Sequence, residues 1–407
     1  MVPPRVTEAT GPAFASHPVR VLVVGGGIAA VELVVALRKL AGERVEIELL
    51  APGDELVYRP LLVAEPFGAG SAHRFPLADI LADHRAVHRQ GQLGSVQPGV
   101  HEVTTTAGER LRFDALVVAT GARAIPALDG ALGFSSPRDV EPFRELLERA
   151  QGGELERVAF TMPDQVALWP LPLYELALMT AERTRGVGLV LVTPESGPLE
   201  LFGTAASDAV RARLEEAGIE LVTGAVPEAI SDGELRLAGG DAIRADAVVA
   251  LPRLEVPQVP GLPQGAGGFL AVDEHCRVEG LADVYAAGDV TNFRVKQGGF
   301  AAHQAQTAAA AIAARAGAPV SPDPFHPELH GLLLTGSERR YLEPEHGASA
   351  SPLWWPPTKI ADSHLVAYLV SRFQVSVALP QSGALGDLVA MALTRGGTPA
   401  RRPRASF

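Results

Sequence analysis

Cysteine is almost absent from this 407-residue chain, in which Cys276 stands alone. A dithiol–disulfide relay needs a second thiol, so no such relay can run within one chain. A single thiol also fits a reducing compartment, and the proline-bearing lead has no apolar core segment of the kind a signal peptide carries; the expectation is a cytoplasmic protein. Lysine is nearly missing as well. Of 35 basic residues only Lys39, Lys296 and Lys359 are lysines, a bias typical of a GC-rich genome, and one that draws notice to each lysine because arginine serves wherever a generic cation suffices. No apolar run approaches the roughly 20 residues of a membrane helix. The formal charge of −12 opposes nucleic acid as a partner, which needs a basic surface to displace counterions.

What is present is a repeated alternation of apolar strand, glycine turn and helix. The length exceeds one hydrophobic core and calls for two or three domains. Strand, turn and helix read over 19–41, with further strands near 45–50 and 115–120. The charged, helical stretch 135–155 suits a domain crossing. A second series follows: strand 157–162, helix 171–184, strand 188–193, helix 204–217, strand 219–223, a hairpin, and a strand over 246–251. A proline- and glycine-rich return linker ends near 268, and the first domain resumes with 269–278, 284–289 and a helix over 300–316. The predicted fold class is α/β, with two nested, doubly wound, three-layer Rossmann-like domains and a small C-terminal domain. The expected boundaries are 1–18 for a flexible lead, 19–134 with 265–320 for the first domain, 135–264 for the inserted one, and 321–407 for the last.

Two motifs carry chemistry. Gly25-x-Gly27-x-x-Ala30 follows an apolar strand and opens a helix, the spacing that lets backbone N–H groups approach a pyrophosphate at a helix N-terminus. Far downstream, Val284-Tyr-Ala-Ala-Gly288-Asp289 ends another buried strand. A carboxylate there can accept hydrogen bonds from a polyhydroxy chain, so the pair suggests FAD, held by its pyrophosphate at one end and its ribityl chain at the other. The segment Lys296-Gln297-Gly298-Gly299-Phe300 then opens a helix whose N-terminus could face the flavin pyrimidine edge. Lys296 is read either as a charge beside the flavin or as a solvated loop residue.

These residues resemble the pyridine nucleotide-disulfide oxidoreductase superfamily, in the branch of type II NADH dehydrogenases, sulfide:quinone oxidoreductases and flavocytochrome c sulfide dehydrogenases. The resemblance rests on the two motifs above, on Val57-Tyr-Arg-Pro60-Leu61, on Ala119-Thr120-Gly121 and on Lys296-Gln297-Gly298. It implies that Gly25, Gly27, Ala30, Pro60, Thr120, Gly121, Gly288, Asp289, Gln297 and Gly298 line FAD. It also implies that the C-terminal domain supplies a dimer surface, a flavin cover or a peripheral membrane face.

Three departures shape the expected activity. The acid that ordinarily holds the adenosine ribose is replaced by Ala51. The inserted domain has no glycine between Gly153 and Gly186, so its nucleotide turn would be crowded by Met162-Pro-Asp-Gln-Val-Ala-Leu-Trp169-Pro170, and Glu195, placed where an acidic ribose ligand could be, reads instead as a plain surface residue. In the sulfide-oxidising enzymes a cysteine precedes Pro-x-x-Tyr-Glu; here Leu168 and Trp169 occupy that neighbourhood. The expected function is an FAD-dependent oxidoreductase passing electrons through the flavin between a small-molecule donor and an acceptor, a quinone or an electron-transfer partner, with Lys296 and Lys359 as the catalytic cations. An NAD(P)H-dependent dehydrogenase of the type II kind and a flavin-binding protein of structural or regulatory role are the alternatives. Leu353-Trp354-Trp355-Pro-Pro-Thr-Lys359 reads as an aromatic wall over the flavin or as interdomain packing. The pairs His84/His88 and His326/His330 read as solvated faces, and no metal is expected.

Overall fold

The computed structural model describes residues 17–165, 167–336, 338–344, 347–349 and 358–375. The readings made on Trp354-Trp355 and on the basic C-terminal tail lie outside these residues.

Runs such as Val-Arg-Val-Leu-Val-Val and Ala-Leu-Val-Val become strands buried on both faces, as parallel strands covered by helices must be. Five of them form one parallel sheet in the order Val284–Ala286, Ala115–Val118, Val19–Val24, Val45–Ala51, Ala86–Gln90. The edge strand Val284–Ala286 comes from the far end of the chain, so the other sheet is inserted within this one. That second parallel sheet runs Leu132–Gly133, Ala247–Ala250, Arg157–Thr161, Gly188–Val192, Ile219–Val222. Where the chain passes out and back, Arg123–Ile125 pairs antiparallel with Arg253–Glu255. Helix α1 (Ile28–Ala41) follows the first strand; α2 (Leu77–Asp83) leads to the edge strand. Helix α3 (Val140–Gln151) marks the crossing, and α4 (Leu171–Arg183) and α5 (Thr204–Glu216) flank the second sheet. The alanine-rich α6 (Gly298–Arg315) packs on α1, where small side chains let the two axes approach.

The first sheet's helices and strands bury one apolar cluster and the second sheet's another. The C-terminal segment divides between them. The small antiparallel sheet Gly331–Leu334, Arg339–Glu343, Gly347–Ser349 buries Leu332, Leu333, Leu334 and Leu342 in the second cluster. Helix α7 (His364–Phe373) buries Leu365, Val366, Leu369 and Val370 in the first.

The stretch 269–278, where the first domain resumes, forms single bridges, Leu270 to Thr291 and Val272 to Val278, and turns tightly at Cys276, whose φ is +60°. Among the described residues no helix is long and apolar enough to cross a membrane, and no group of three or more metal-ligating side chains occurs.

Candidate functional site

A cleft of about 850 Å³ opens along the C-terminal ends of the first sheet and runs on to the start of α4. Its floor explains the glycines. At Gly25 the backbone has φ +131°, and a Cβ would lie 2.2 Å from the carbonyl oxygen of Ala119, so no other residue fits. Gly27 is the N-cap of α1, and the space a side chain would take there is open. The first-turn N–H groups of α1 thus border free volume, which is what a pyrophosphate requires. Pro60, Thr120, Gly121, Gly288, Asp289, Gln297 and Gly298 all line the same cleft. Ala30 does not. It is fully buried in the apolar cluster that α1 shares with α6, behind the cleft floor.

The Gly288-Asp289 turn is held by residues that sequence reading missed. Gln304 of α6, itself buried, accepts the Gly288 N–H at 2.8 Å and donates to Thr291 at 3.2 Å. The Asp289 side chain borders the cleft and has no hydrogen-bond partner among the described residues. Burial pushes its carboxyl above the usual range, opposed by Lys296 and Arg59. The carboxylate is therefore available for the hydroxyls of a ligand.

Lys296 is neither solvated nor free. Only 7% exposed, it donates to the carbonyl oxygens of Thr291 at 2.5 Å and Asp289 at 3.2 Å and lies 4.2 Å from the centre of the Phe269 ring. Burial pulls its amine down to about 8, against the charge of Asp289. Its ammonium organises the Asp289 loop from beneath, which corrects the solvated-loop alternative.

Lys359 lines the cleft, and it does so as half of a buried ion pair with Glu175 of α4. Their side chains are 8% and 1% exposed. Glu175 also accepts the N–H of Leu334 at 2.9 Å. Burial pushes the Glu175 carboxyl up and pulls the Lys359 amine down, each resisted by the partner's charge. Glu175 was overlooked; the available signal was a lone acid within the apolar run Leu-Pro-Leu-Tyr-Glu-Leu-Ala-Leu-Met.

The corresponding turn of the second sheet, 162–170, has no glycine and is held by side-chain and backbone contacts. The Gln165 amide grips both backbone groups of Leu254, donating at 2.7 Å and accepting at 2.9 Å. The Leu168 N–H donates to Arg294 at 3.0 Å, forming a bridge to Val295 of the first domain. Trp169 packs edge-on against Phe202 at 5.9 Å. Pro170 and Pro172 bring no N–H to the start of α4. Glu195, read from sequence as a surface acid, accepts from the Tyr174 hydroxyl and the Thr193 hydroxyl, and burial pushes its carboxyl up. Its place near the strand end is fixed by a tyrosine from the helix that a nucleotide would otherwise approach.

The profile of the pyridine nucleotide-disulphide oxidoreductases matches residues 19–159 and 174–314. The chain belongs to that family. An NADH dehydrogenase-like protein of Mycobacterium tuberculosis is 28% identical over 244 residues, covering 55% of this chain and 60% of the relative, so the match spans less than two thirds of that protein. The rubredoxin-NAD(+) reductase of Pseudomonas putida is 25% identical over 353 residues, covering 78% and 86%. Among solved structures, the sulfide:quinone oxidoreductase of Aquifex aeolicus superposes with a TM-score of 0.71 at 19% identity, covering 79% of this chain and 82% of that one, a likeness of fold.

Against that family background two departures stand out. Ala51 lines the cleft with no carboxylate; of the neighbouring acids, Glu48 pairs with Arg89 and Glu55 with Arg74. Cys276 is fully buried away from the cleft, its thiol pushed up to about 12 chiefly by burial, so it stays protonated and inert. Of the paired histidines, His84 bonds to the Ile80 carbonyl and stacks edge-on against Tyr368, and His330 lies 3.6 Å from Glu343.

Proposed function

We propose that this protein is an FAD-dependent oxidoreductase in which electrons leave the flavin directly for an acceptor in the cleft, with neither protein thiols nor a second dinucleotide in the usual site as intermediary. The observation that carries this reading is the continuity of one cleft, from the glycine turn and Asp289 to the buried Glu175–Lys359 pair. The open N-terminus of α1 fits a pyrophosphate, and the side chain of Asp289 fits a hydroxyl-bearing chain, so the residues suit FAD. Bound there, FAD supplies reversible two-electron chemistry.

The protein's own residues divide the remaining work. Gly25 and Gly27 admit the pyrophosphate, with Thr120, Gly121 and Pro60 lining the cavity beside it. Gly288 and Asp289 receive the ribityl hydroxyls, and Lys296 fixes their loop. The N-cap Gln297 and Gly298 direct the positive end of α6 into the cleft. Leu168, Trp169 and Leu332 exclude water around Glu175 and Lys359. The proton that Lys359 Nζ donates to Glu175 Oε1 is the one available to an acceptor that takes up protons with its electrons, such as a quinone. The name of the mycobacterial relative favours a second reading, with NADH as donor; the glycine-free 162–170 turn argues against NADH entering in the usual mode.

Anaerobic photoreduction of FAD-loaded protein, followed by reoxidation, tests the proposal. Ferricyanide takes electrons without protons, whereas a soluble quinone takes both. Glu175→Gln is expected to slow reoxidation by the quinone about 100-fold while leaving ferricyanide unaffected. Equal effects on both acceptors would remove the proton role of the pair.

A further inference from the structure

Glu32 is the sole acid in α1, and it is completely buried. A carboxylate inside an apolar helix face is costly unless donors surround it. Four do. The Ser363 hydroxyl donates at 2.5 Å, the backbone N–H groups of His364 and Leu365 at 2.9 Å each, and the Gln306 amide of α6 at 2.7 Å. Ser363 is also the N-cap of α7, accepting from the Val366 N–H at 3.0 Å. The charge of Glu32 therefore sits on the first turn of α7, where the helix dipole and the free N–H groups favour an anion.

The consequence lies four residues upstream. Between Lys359 and Ser363 the chain forms neither strand nor helix. It is held by Ile360, wedged where a Cβ on Gly298 would meet it at 2.9 Å, and by the Asp362 carbonyl, which accepts from Gln306 at 2.8 Å. The segment thus spans two buried glutamates from different domains: Glu175 of α4 takes its lysine, and Glu32 of α1 takes the helix start that follows.

We infer that Glu32 is a positioning residue for Lys359, acting through the Ser363 cap to hold the lysine against Glu175 at the cleft wall. The purpose Lys359 serves rests on the function proposed above; its placement by Glu32 does not. Glu32 lies on the helix whose N-terminus borders the glycine turn, so the same element that frames the cofactor end of the cleft also fixes the cation at the acceptor end.

A chain with three lysines allows a direct test. The purified full chain is acetylated with an N-hydroxysuccinimide ester, and each lysine is followed by mass spectrometry. Exposed Lys39 reports reagent activity, and buried Lys296 reports global opening. In Glu32→Ala, Lys359 is expected to react about tenfold faster or more while Lys296 stays protected, as in a local opening. Glu32→Gln keeps one acceptor oxygen and gives a smaller rise. Ser363→Ala, which removes only the cap hydroxyl, gives an intermediate one and serves if Glu32→Ala does not fold. Unchanged protection of Lys359 in these variants would overturn the assignment, and so would opening of Lys296 in step with Lys359 in all of them. Failure of the functional reading shows separately, in the acceptor comparison with Glu175→Gln.

Discussion

The two strand-to-helix turns of this molecule occupy equivalent places in two parallel sheets, and they are built in opposite ways. At Gly25 to Ala30 the backbone takes a conformation open only to glycine, and the helix start faces empty volume. At 162–170 no glycine occurs; a glutamine amide ties the turn to Leu254, a tryptophan packs on Phe202, and prolines remove N–H donors at the start of the helix. The same fold thus carries two differently built turns, and the difference lies in a handful of side chains. Family membership reports the frame, while the turns report what each half can bind.

This comparison can be broken most sharply at the cleft's far end. Lys359→Met leaves Glu175 buried without its cation and is expected to cost about 3–5 kcal/mol in denaturant unfolding, whereas Glu175→Leu combined with Lys359→Met recovers most of that loss. A double variant as unstable as the single would show that packing, and not an uncompensated charge, sets the cost. At the open turn, Gly25→Ala forces a Cβ onto the Ala119 carbonyl; the expected result is loss of about 3 kcal/mol or more of FAD affinity, read as flavin per protein after gel filtration. At the glycine-free turn, Gln165→Ala removes two hydrogen bonds to Leu254. It should cost about 1–3 kcal/mol of stability and leave flavin content unchanged. If flavin content falls as much as in Gly25→Ala, the two turns are not functionally distinct.

The smallest effect concerns pH. The Lys296 amine is held down to about 8 from 10.5 by burial. Between those values the unfolded chain keeps a proton that the folded chain releases, so this group's contribution makes stability rise with pH across that window. In Lys296→Met that contribution disappears, and the slope of stability between pH 8 and 10.5 should fall accordingly; an unchanged slope would place the titration elsewhere.

Much of this was legible beforehand because local patterns carried it. Strand patterns ending in Gly25 and Gly288 placed both turns at one cleft, and the missing glycines before Gly186 marked the second turn as differently built. What was not legible depends on contacts remote in sequence. Glu175 and Lys359 are 184 residues apart and Glu32 and Ser363 are 331, so neither pairing leaves a periodic trace. Ala30 and Lys296 were visible as residues, but their burial was not, since a fingerprint position does not reveal whether it faces a cleft or a helix. Glu195 shows the same limit: an acid at a strand end looks like a ribose ligand or a surface charge until the tyrosine bonded to it is seen.

The most direct test of the glycine-free second turn is anaerobic mixing of FAD-loaded protein with NADH or NADPH, followed at the flavin absorption band, with dithionite as the control reductant. The account requires that dithionite bleach the flavin while the nicotinamides leave it oxidised. Rapid bleaching by either nucleotide would contradict it, because a donor would then be reaching the flavin past the turn at 162–170.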